Sequence, residues 1–373
     1  MPCCHAIGFG AESEVLIAFL QYKKHQTVRA GSIERTCIMA DRRTALLDMI
    51  VGKWLSQAIC VAAELGIADL LKDGPHSSAD LSAKTGASED GVYRLLRALS
   101  SVGLFTEREG RRFALAELGT LLQSDVPGSL RGFARFVGHE INSRPWGEAL
   151  HSVKTGKPSF DHVFGVPVFD YLATRPEAAA IMNEAMTSLS LAEARAVATA
   201  YDFRGIRTLV DVGGGHGLLL AEVLKANLAL RGILFELPHA LDGARALLEN
   251  AGVSTRCDVV GGDFFTAVPD GGDSYMMKRV IHDWDDEHSI RILQSCHRAM
   301  QPGGRLLVVE VVVGSVDQSH FARLLDLEML VITQGGRERS EEEFRRLYEA
   351  AKFRVVRVME TGAPVSIVEG VAV

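Results

Sequence analysis

A glycine-rich turn supplies the first residues whose spacing could do chemistry. In "TLVDVGGGHGLLLAEVL", Asp211 is followed at alternate positions by Gly213, Gly215 and Gly217, between a run typical of a buried strand and one typical of a helix. Such a turn lets a backbone approach a nucleotide-like cofactor closely. The G-x-G-x-x-G spacing of dinucleotide-binding proteins is not met, because Leu218 stands at the last position, and the G-K-[ST] ending of a P-loop is missing. We therefore expect another small ligand, with Asp211 facing a positive group on it.

Further polar residues stand at the ends of other apolar runs. Glu236 closes "ILFELP", where a carboxylate can accept both hydroxyls of a ribose. Glu310 interrupts "RLLVVEVVV", and a lone acid there is costly to bury unless it has a function or a partner. His282 can exchange a proton near neutral pH. By itself, however, a histidine at a strand end is more often structural, and this chain has 12 histidines.

The elements that must position these residues alternate between strand and helix from residue 208 onward. This alternation predicts a doubly wound, mostly parallel α/β sheet of about seven strands, whose ligands lie at the carboxyl ends of the strands. The predicted strands are Thr208–Val212, Gly232–Leu237, Cys257–Gly261, Ser274–Val280, Arg305–Val313, Phe353–Met359 and Val365–Val371.

The preceding part of the chain predicts a winged helix. A long helix begins near Asp41, capping residues at Ser77–Asp80 and Ser88–Asp90 begin two more, and Glu109–Gly110 forms the tip of a β-hairpin. The would-be recognition helix starts with acidic residues, which disfavours contact with DNA. Packing against a partner subunit is the preferred interpretation, and a DNA-binding regulator stays an alternative.

Composition limits the possible classes of protein. A chain of 373 residues with 47% hydrophobic content predicts two domains, and a net charge of −7 gives no overall attraction to nucleic acid or anionic membranes. The six cysteines form no C-x-x-C pair, which argues against a structural metal or disulfides and favours a reducing cytoplasm. No segment is predicted to span a membrane. Residues 1–40 match nothing that follows and are interpreted as a poorly structured extension with little role in the fold.

Residues 125–200 are predicted to be helical and are rich in aromatic and methionine side chains. Such residues belong to a core more often than to a ligand site, yet methionine beside aromatic rings is also what a planar apolar substrate would meet. With three later positions, they form the predicted substrate pocket: Phe133, Phe136, Trp146, Phe160, Met182, Met186, Met277, Ile281 and Met329. Helical phase does not decide between Glu328 and Met329 as the residue facing that pocket.

Several strings together carry a family resemblance. "LVDVGGGHG", "FELPHAL", "GDFF", "YMMKRVIHDWDDEHSIRIL", "QPGGRLLVVE" and "GGRERSEEEF" closely resemble S-adenosylmethionine-dependent O-methyltransferases of the plant caffeate and bacterial hydroxyindole type. The resemblance runs from about Asp41 to the end of the chain. It implies a homodimer, with a helical, winged-helix dimerisation and lid domain at 41–200 and a Rossmann-like catalytic domain at 201–373.

The resemblance also implies roles for individual residues. Gly213 and Gly215 would hold the methionine part of S-adenosylmethionine and Glu236 its ribose. Asp263 would bind the adenine amino group with Phe264 against the ring, and Lys278 would be a further cofactor contact. Two departures stand out: the family more often has Asp where Glu236 stands, and Arg279 stands where plant members commonly have an aromatic residue.

His282 is the implied general base for transfer of a methyl group to oxygen. Glu310 and Glu338 would support its imidazole, as carboxylates do in hydrolase triads. Judged on its charged surroundings alone, Glu338 is more simply a solvated surface acid. No metal is implied, and the acceptor is expected to be an aromatic hydroxyl in secondary metabolism. The alternatives keep the fold and cofactor but methylate nitrogen, or perform decarboxylation or hydroxylation.

Overall fold

The computed structural model describes residues 33–241, 243–314 and 320–373. Most of the predicted extension, residues 1–32, lies outside the described residues. The first helix begins at Ile33, earlier than the predicted start near Asp41. Residues 33–40 therefore belong to this helix and not to the extension, since neither glycine nor proline separates them from the apolar pattern that follows.

The described α-helices are labelled in chain order. They are α1 (Ile33–Glu64), α2 (Ile67–Leu70), α3 (Ser78–Thr85), α4 (Glu89–Ser100), α5 (Arg131–Gly138), α6 (Glu140–Gly147), α7 (Ala149–Thr155), α8 (Ser159–Phe164), α9 (Val168–Ala173), α10 (Pro176–Ala200), α11 (Leu218–Ala226), α12 (Ala244–Asn250), α13 (Asp286–Ala299), α14 (His320–Ile332) and α15 (Glu341–Ala350).

The strands confirm the predicted α/β pattern. They are β1 (His76–Ser77), β2 (Phe105–Arg108), β3 (Arg112–Leu115), β4 (Thr208–Val212), β5 (Arg231–Glu236), β6 (Cys257–Gly261), β7 (Ser274–Lys278), β8 (Arg305–Glu310), β9 (Val312–Val313), β10 (Arg339–Ser340), β11 (Phe353–Glu360) and β12 (Ser366–Ala372). The predicted strand Arg305–Val313 is divided, because β8 ends at Glu310 and β9 pairs instead with β10.

The main sheet has seven strands in the order β11-β12-β8-β7-β4-β5-β6. The strands from β4 to β8 pair in parallel, and β12 and β11 close one edge antiparallel. After β6 the chain returns to the other side of β4, so the order reverses between β4 and β7. That reversal is the switch point at which doubly wound sheets bind ligands.

Both faces of this sheet are buried, which explains the nearly continuous apolar strands. On one face, α11 and α12 pack over Leu209, Leu234 and Met276. On the other, α13 and α15 cover Val210, Tyr275 and Val308. The sheet is thus a rigid support, and its strand ends fix the positions of the loops that follow.

The winged-helix elements form as their caps predict. Ser77 begins α3 with a full capping box to Asp80, and the Ser88 side chain accepts a hydrogen bond from the backbone N–H of Gly91 to begin α4. Strands β2 and β3 pair antiparallel around the predicted tip. Their inner side chains, including Phe105 and Phe113, join a small core with α1, α3 and α4.

By internal contacts the chain divides after Trp54, and every site residue discussed below belongs to the second unit. The described part of the first unit is the helical stretch 33–54, which exposes Leu46, Met49, Ile50 and Trp54. Among the described residues, one helical segment, Asp41–Glu64, is long and apolar enough to cross a bilayer by length and composition alone. The sequence prediction that no segment spans a membrane stays a prediction.

Candidate active site

The candidate catalytic and cofactor-binding residues converge at the switch point of the sheet. The glycine turn follows β4, Glu236 ends β5, the loop containing His282 follows β7, and Glu310 ends β8. Because β5, β4, β7 and β8 are parallel neighbours, all four positions open on the same edge. The predicted strand ends therefore face one cleft.

The glycine turn is open on one side and crowded on the other. Gly213 and Gly215 have φ values of 68° and 56°, in the left-handed region that favours glycine. A Cβ atom added to Gly213 would lie 2.7 Å from Val280 Cγ2, whereas a Cβ on Gly215 would meet no heavy atom within 4 Å. Gly213 thus permits close packing against the histidine loop, and Gly215 borders free space where a ligand could lie against backbone.

Two carboxylates flank this turn. Glu236 Oε2 accepts the backbone N–H of Gly215 at 3.0 Å and Oε1 accepts that of Leu237 at 2.7 Å, which fixes the carboxylate beside the glycine turn. Asp211 is 1% exposed, and neither of its oxygens has a hydrogen-bond partner among the described residues. Burial raises the pKa of Asp211 to about 7. An unsatisfied buried acid beside an open glycine turn fits a ligand that carries positive charge.

The predicted adenine-binding residues lie beside the same turn. Phe264 Cε1 is 3.8 Å from where a Gly213 Cβ would be, and the Phe264 ring packs edge-on against Trp284. Asp263 Oδ1 accepts the backbone N–H of Phe265 at 2.8 Å, which orients the carboxylate. The structure therefore brings Asp263 and Phe264 to the loop where an adenine ring is expected.

Lys278 has a protein partner that the sequence did not indicate. Its ammonium group contacts Glu193 Oε2 at 3.2 Å and Ser190 Oγ at 2.8 Å, both on α10. The guanidinium of Arg279 donates two hydrogen bonds to the same carboxylate, and its Nη2 lies 2.6 Å from Glu193 Oε1. Burial alone would raise the pKa of Glu193, but the two cations outweigh it and lower that pKa. This ion cluster joins α10 to the end of β7, so the cofactor role of Lys278 stays a prediction.

His282 lies among three carboxylates. Its Nδ1 is 2.8 Å from Glu338 Oε1 and 3.7 Å from Glu310 Oε2, and its Nε2 is 3.6 Å from Asp283 Oδ1. Burial alone would lower the pKa of His282, but the charges of Glu310, Asp283 and Glu338 outweigh it and raise the pKa to about 9. The cluster therefore stabilises an imidazolium, the form that a general base reaches when it takes a proton.

Glu310 shapes the loop that carries this histidine. Its Oε1 accepts the backbone N–H groups of Val280, Ile281 and His282 at 3.0, 3.0 and 3.3 Å. Oε2 has no hydrogen-bond partner among the described residues and points the remaining charge toward the imidazole. The lone acid in the apolar strand is thus buried with partners, as its sequence context requires.

Glu338 is not a solvated surface acid. Its side chain is 0% exposed, and its backbone N–H donates to Asp326 Oδ1 on α14 at 2.9 Å. The next residue, Arg339, is also fully buried and was missed by sequence reasoning. Its guanidinium donates to the backbone oxygens of Ile281 at 2.8 Å and Trp284 at 2.7 Å, which clamps the histidine loop. Within a run as charged as "GRERSEEEF", nothing distinguishes these two residues from their exposed neighbours.

The structure divides most of the predicted substrate-pocket residues between two apolar clusters. Six of its residues share one apolar cluster with the carboxyl-terminal part of α14: Phe133, Phe136, Trp146, Phe160, Met182 and Met186. Phe160 is fully buried within that cluster, and Met329 is 7% exposed. Met277 and Ile281 are fully buried in the core beneath the sheet, since they face the α13 and α15 side. The substrate contacts of Phe160, Met277 and Ile281 stay a prediction.

These features together define a class of protein. A doubly wound sheet with an open glycine turn, a carboxylate at the end of the neighbouring strand and a buried histidine at its switch point is typical of a transferase that uses a nucleoside cofactor. The residues fit S-adenosylmethionine: the Asp211 carboxylate has no hydrogen-bond partner among the described residues, Gly215 leaves space, and Glu236 is held against the backbone of Gly215.

Comparison with known proteins identifies the family within this class. Residues 146–354 match the model of an O-methyltransferase domain, and residues 47–125 match that of an O-methyltransferase dimerisation domain. The chain belongs to this O-methyltransferase family, which confirms the resemblance, the fold and S-adenosylmethionine as the methyl donor. The dimerisation match begins on the helix that exposes apolar side chains, where an interface would cover them.

Individual relatives cover nearly the whole described chain. A phenazine O-methyltransferase from Lysobacter antibioticus is 44% identical over 341 residues, 91% of this chain and 97% of the relative. A phenazine-1-carboxylate N-methyltransferase from Pseudomonas aeruginosa is 33% identical over 315 residues, 84% and 93% of the two chains. The structure of an O-methyltransferase from neocarzinostatin biosynthesis, in complex with S-adenosylmethionine and 2-hydroxy-5-methyl naphthoic acid, is similar with a TM-score of 0.74 at 33% identity, covering 86% of this chain and 96% of that one.

Proposed function

We propose that this enzyme methylates a hydroxyl group of an aromatic small molecule in secondary metabolism, with His282 as the general base and without a metal ion. The observation that carries this proposal is the buried imidazole between Glu338 and Glu310 at the carboxyl ends of β7 and β8. The apolar cluster around Phe133, Trp146 and Met182 supports an aromatic acceptor. The phenazine and naphthoate relatives are consistent with that class of acceptor.

The order of proton and methyl transfer follows from the orientation of His282. Nδ1–H donates to Glu338, so Nε2 is the nitrogen left to take the proton from the acceptor hydroxyl. Bound S-adenosylmethionine supplies an electrophilic methyl group on a positive sulfur. As the acceptor oxygen bonds to the methyl carbon, the carbon–sulfur bond breaks, sulfur becomes neutral and the proton moves to Nε2. Glu310 and Glu338 stabilise the imidazolium that forms.

A metal ion is the other possible use of this cluster. Ligand atoms of His282, Glu310 and Glu338 all lie within 4.8 Å of one another, a spacing that a cation could share. We propose imidazolium as the cation that the carboxylates stabilise, because Glu310 Oε1 is already engaged by three backbone N–H groups. Activity should then be unchanged after dialysis against a chelator, and loss that is restored by a divalent ion would refute metal independence.

The decisive experiment compares turnover with cofactor affinity. His282→Ala should lower kcat by about 10²–10⁴-fold, the usual contribution of a general base, with cofactor Kd nearly unchanged. Equal loss of both would make His282 structural. The assay screens phenolic metabolites with labelled cofactor and locates the methyl group on the product. Label on nitrogen would favour the alternative seen in the N-methyltransferase relative.

We further propose that the functional unit is a cytoplasmic homodimer that binds neither nucleic acid nor a membrane. The dimerisation match and the exposed apolar residues of α1, including Leu46, Ile50 and Trp54, support the dimer. The first turn of α4 carries the exposed acids Glu89 and Asp90, which oppose DNA binding. A sedimentation experiment should give twice the chain mass, and a gel shift should show no DNA complex.

A further inference from the structure

Glu328 is a lone acid on the apolar side of α14. Residues 328, 331 and 332 lie on one helical face, and Val331 and Ile332 belong to the cluster that contains Phe136 and Phe160. The side chain of Glu328 is therefore directed into the same apolar surroundings as the predicted acceptor wall. The sequence left open whether Glu328 or Met329 faces the pocket. Met329 is buried, and Glu328 is half-buried.

The partners of Glu328 are neutral. Oε1 accepts from Asn142 Nδ2 at 2.6 Å and Oε2 accepts from the indole N–H of Trp146, both on α6. No ion pair joins this carboxylate to another of the described side chains. Burial raises the pKa of Glu328 to about 7 in spite of these two hydrogen bonds. A carboxylate in this position lacks the cationic partner that buried acids normally have.

The position of α14 relates this acid to the reacting centre. Two residues before Glu328, Asp326 accepts the backbone N–H of Glu338, the partner of His282. Just after α14, a Cβ on Gly336 would lie 2.5 Å from the backbone oxygen of His282, so the chain there packs tightly against the histidine loop. The helix therefore carries Glu328 on the apolar cluster while its neighbours hold the base.

We propose that Glu328, held by Asn142 and Trp146, selects acceptors that present a nitrogen-borne hydrogen-bond donor to it while their hydroxyl faces His282. This inference rests on the proposed function and narrows its substrate class to aromatic hydroxyl compounds with a ring N–H or an amino group. Each carboxylate oxygen has a second lone pair beyond the bond it already accepts. An acceptor without the donor covers the carboxylate without giving these further lone pairs a hydrogen bond, which costs affinity.

The test uses matched probe pairs and the complete enzyme saturated with S-adenosylhomocysteine. One pair is 5-hydroxyindole and 5-hydroxybenzofuran, in which oxygen replaces N–H, and another is 8-amino-2-naphthol and 8-methyl-2-naphthol. Calorimetric titration should show that the nitrogen-bearing member of at least one pair binds about 10- to 100-fold more tightly. Glu328→Leu should abolish that preference, whereas Glu328→Gln, which keeps an acceptor oxygen, should retain part of it.

Asp161→Leu is the matched control. Asp161 accepts a hydrogen bond from Gln334 Nε2 at 2.5 Å, so it is also a partly buried acid that joins an amide across the fold. The control should keep the preference of the wild type. If no pair is distinguished, or if Glu328→Leu keeps the preference, Glu328 is structural and the inference fails. Methyl transfer to a phenol without any such preference would leave the proposed function standing, whereas the preference without methyl transfer would refute the proposed function alone.

Discussion

Replacing Glu338 by glutamine should shift the acid limb of the pH–activity profile to lower pH. The wild-type imidazole has a pKa near 9 because Glu310, Asp283 and Glu338 favour its charged form over the effect of burial. Glutamine keeps the shape of the side chain and can still accept the Nδ1 proton, but it has no charge. The rate depends on neutral His282, so activity rises as pH passes through this pKa.

The magnitude follows from one buried contact. The Nδ1–Oε1 distance is 2.8 Å, and a hydrogen bond to a charged group is worth about 1.5–3 kcal/mol. Since 1.36 kcal/mol corresponds to one pH unit, the pKa of His282 should fall by roughly one to two pH units. The same loss of imidazolium stabilisation should lower the high-pH plateau by about 10- to 100-fold. The variant would thus reach a lower plateau at a lower pH.

Two measurements check this prediction: the pH dependence of kcat/KM and an NMR titration of the imidazole in the cofactor-free protein. Glu342→Gln is the control, because Glu342 belongs to the same charged run but is exposed and pairs only with Arg346 on α15. The control should reproduce the wild-type profile. The carboxylates do not stabilise the imidazolium if the acid limb of the wild-type pH profile lies near the ordinary pKa of histidine and Glu338→Gln does not shift it.

Three further substitutions test the surroundings of the cleft. Burial raises the folded-state pKa of Asp211 from 3.8 to about 7, so the stability that its protonated form contributes is present at low pH and is lost as the pH rises through 7. The free energy of unfolding of the wild type should therefore decline between pH 5 and 8, and Asp211→Asn should remove roughly 3 kcal/mol of that decline. Chemical denaturation measures it, and an unchanged dependence on pH in the variant would contradict the reasoning. Gly215→Val should abolish cofactor binding in calorimetry by filling the open side of the turn and straining a residue at φ 56°; binding like that of the wild type would place the site elsewhere. Arg339→Lys should lower kcat by at least about tenfold, because a single ammonium cannot replace the guanidinium contacts to Ile281 and Trp284, while cofactor Kd changes little; normal kcat would show that the clamp is dispensable.

The sequence alone determined the fold, the cofactor turn and part of the site. Strands buried on both faces appear as continuous apolar runs, so β4 to β8 were recognisable from local pattern. Helix starts at Ser77 and Ser88 depended on capping residues a few positions apart. Glu310 was recognisable because burying an acid within an apolar strand is costly unless the acid has a partner or a function. The predicted roles of His282, Glu236 and Asp263 needed the family strings, because each residue by itself is common in structural positions.

Only the tertiary structure decided which polar residues meet and which apolar ones face the cleft. Glu338 contacts a histidine 56 positions away and Arg279 contacts Glu193 across 86 positions. Local periodicity does not predict such contacts. Glu338 stands in a charged run and Glu193 in an alanine-rich helix, where both resemble ordinary surface acids. Met277 lies within β7 and Ile281 follows that strand, whose two faces are equally apolar, so the sequence could not indicate which apolar cluster they would join. Hydrophobic pattern fixes elements through neighbours along the chain, whereas the active site depends on side chains that only packing brings together.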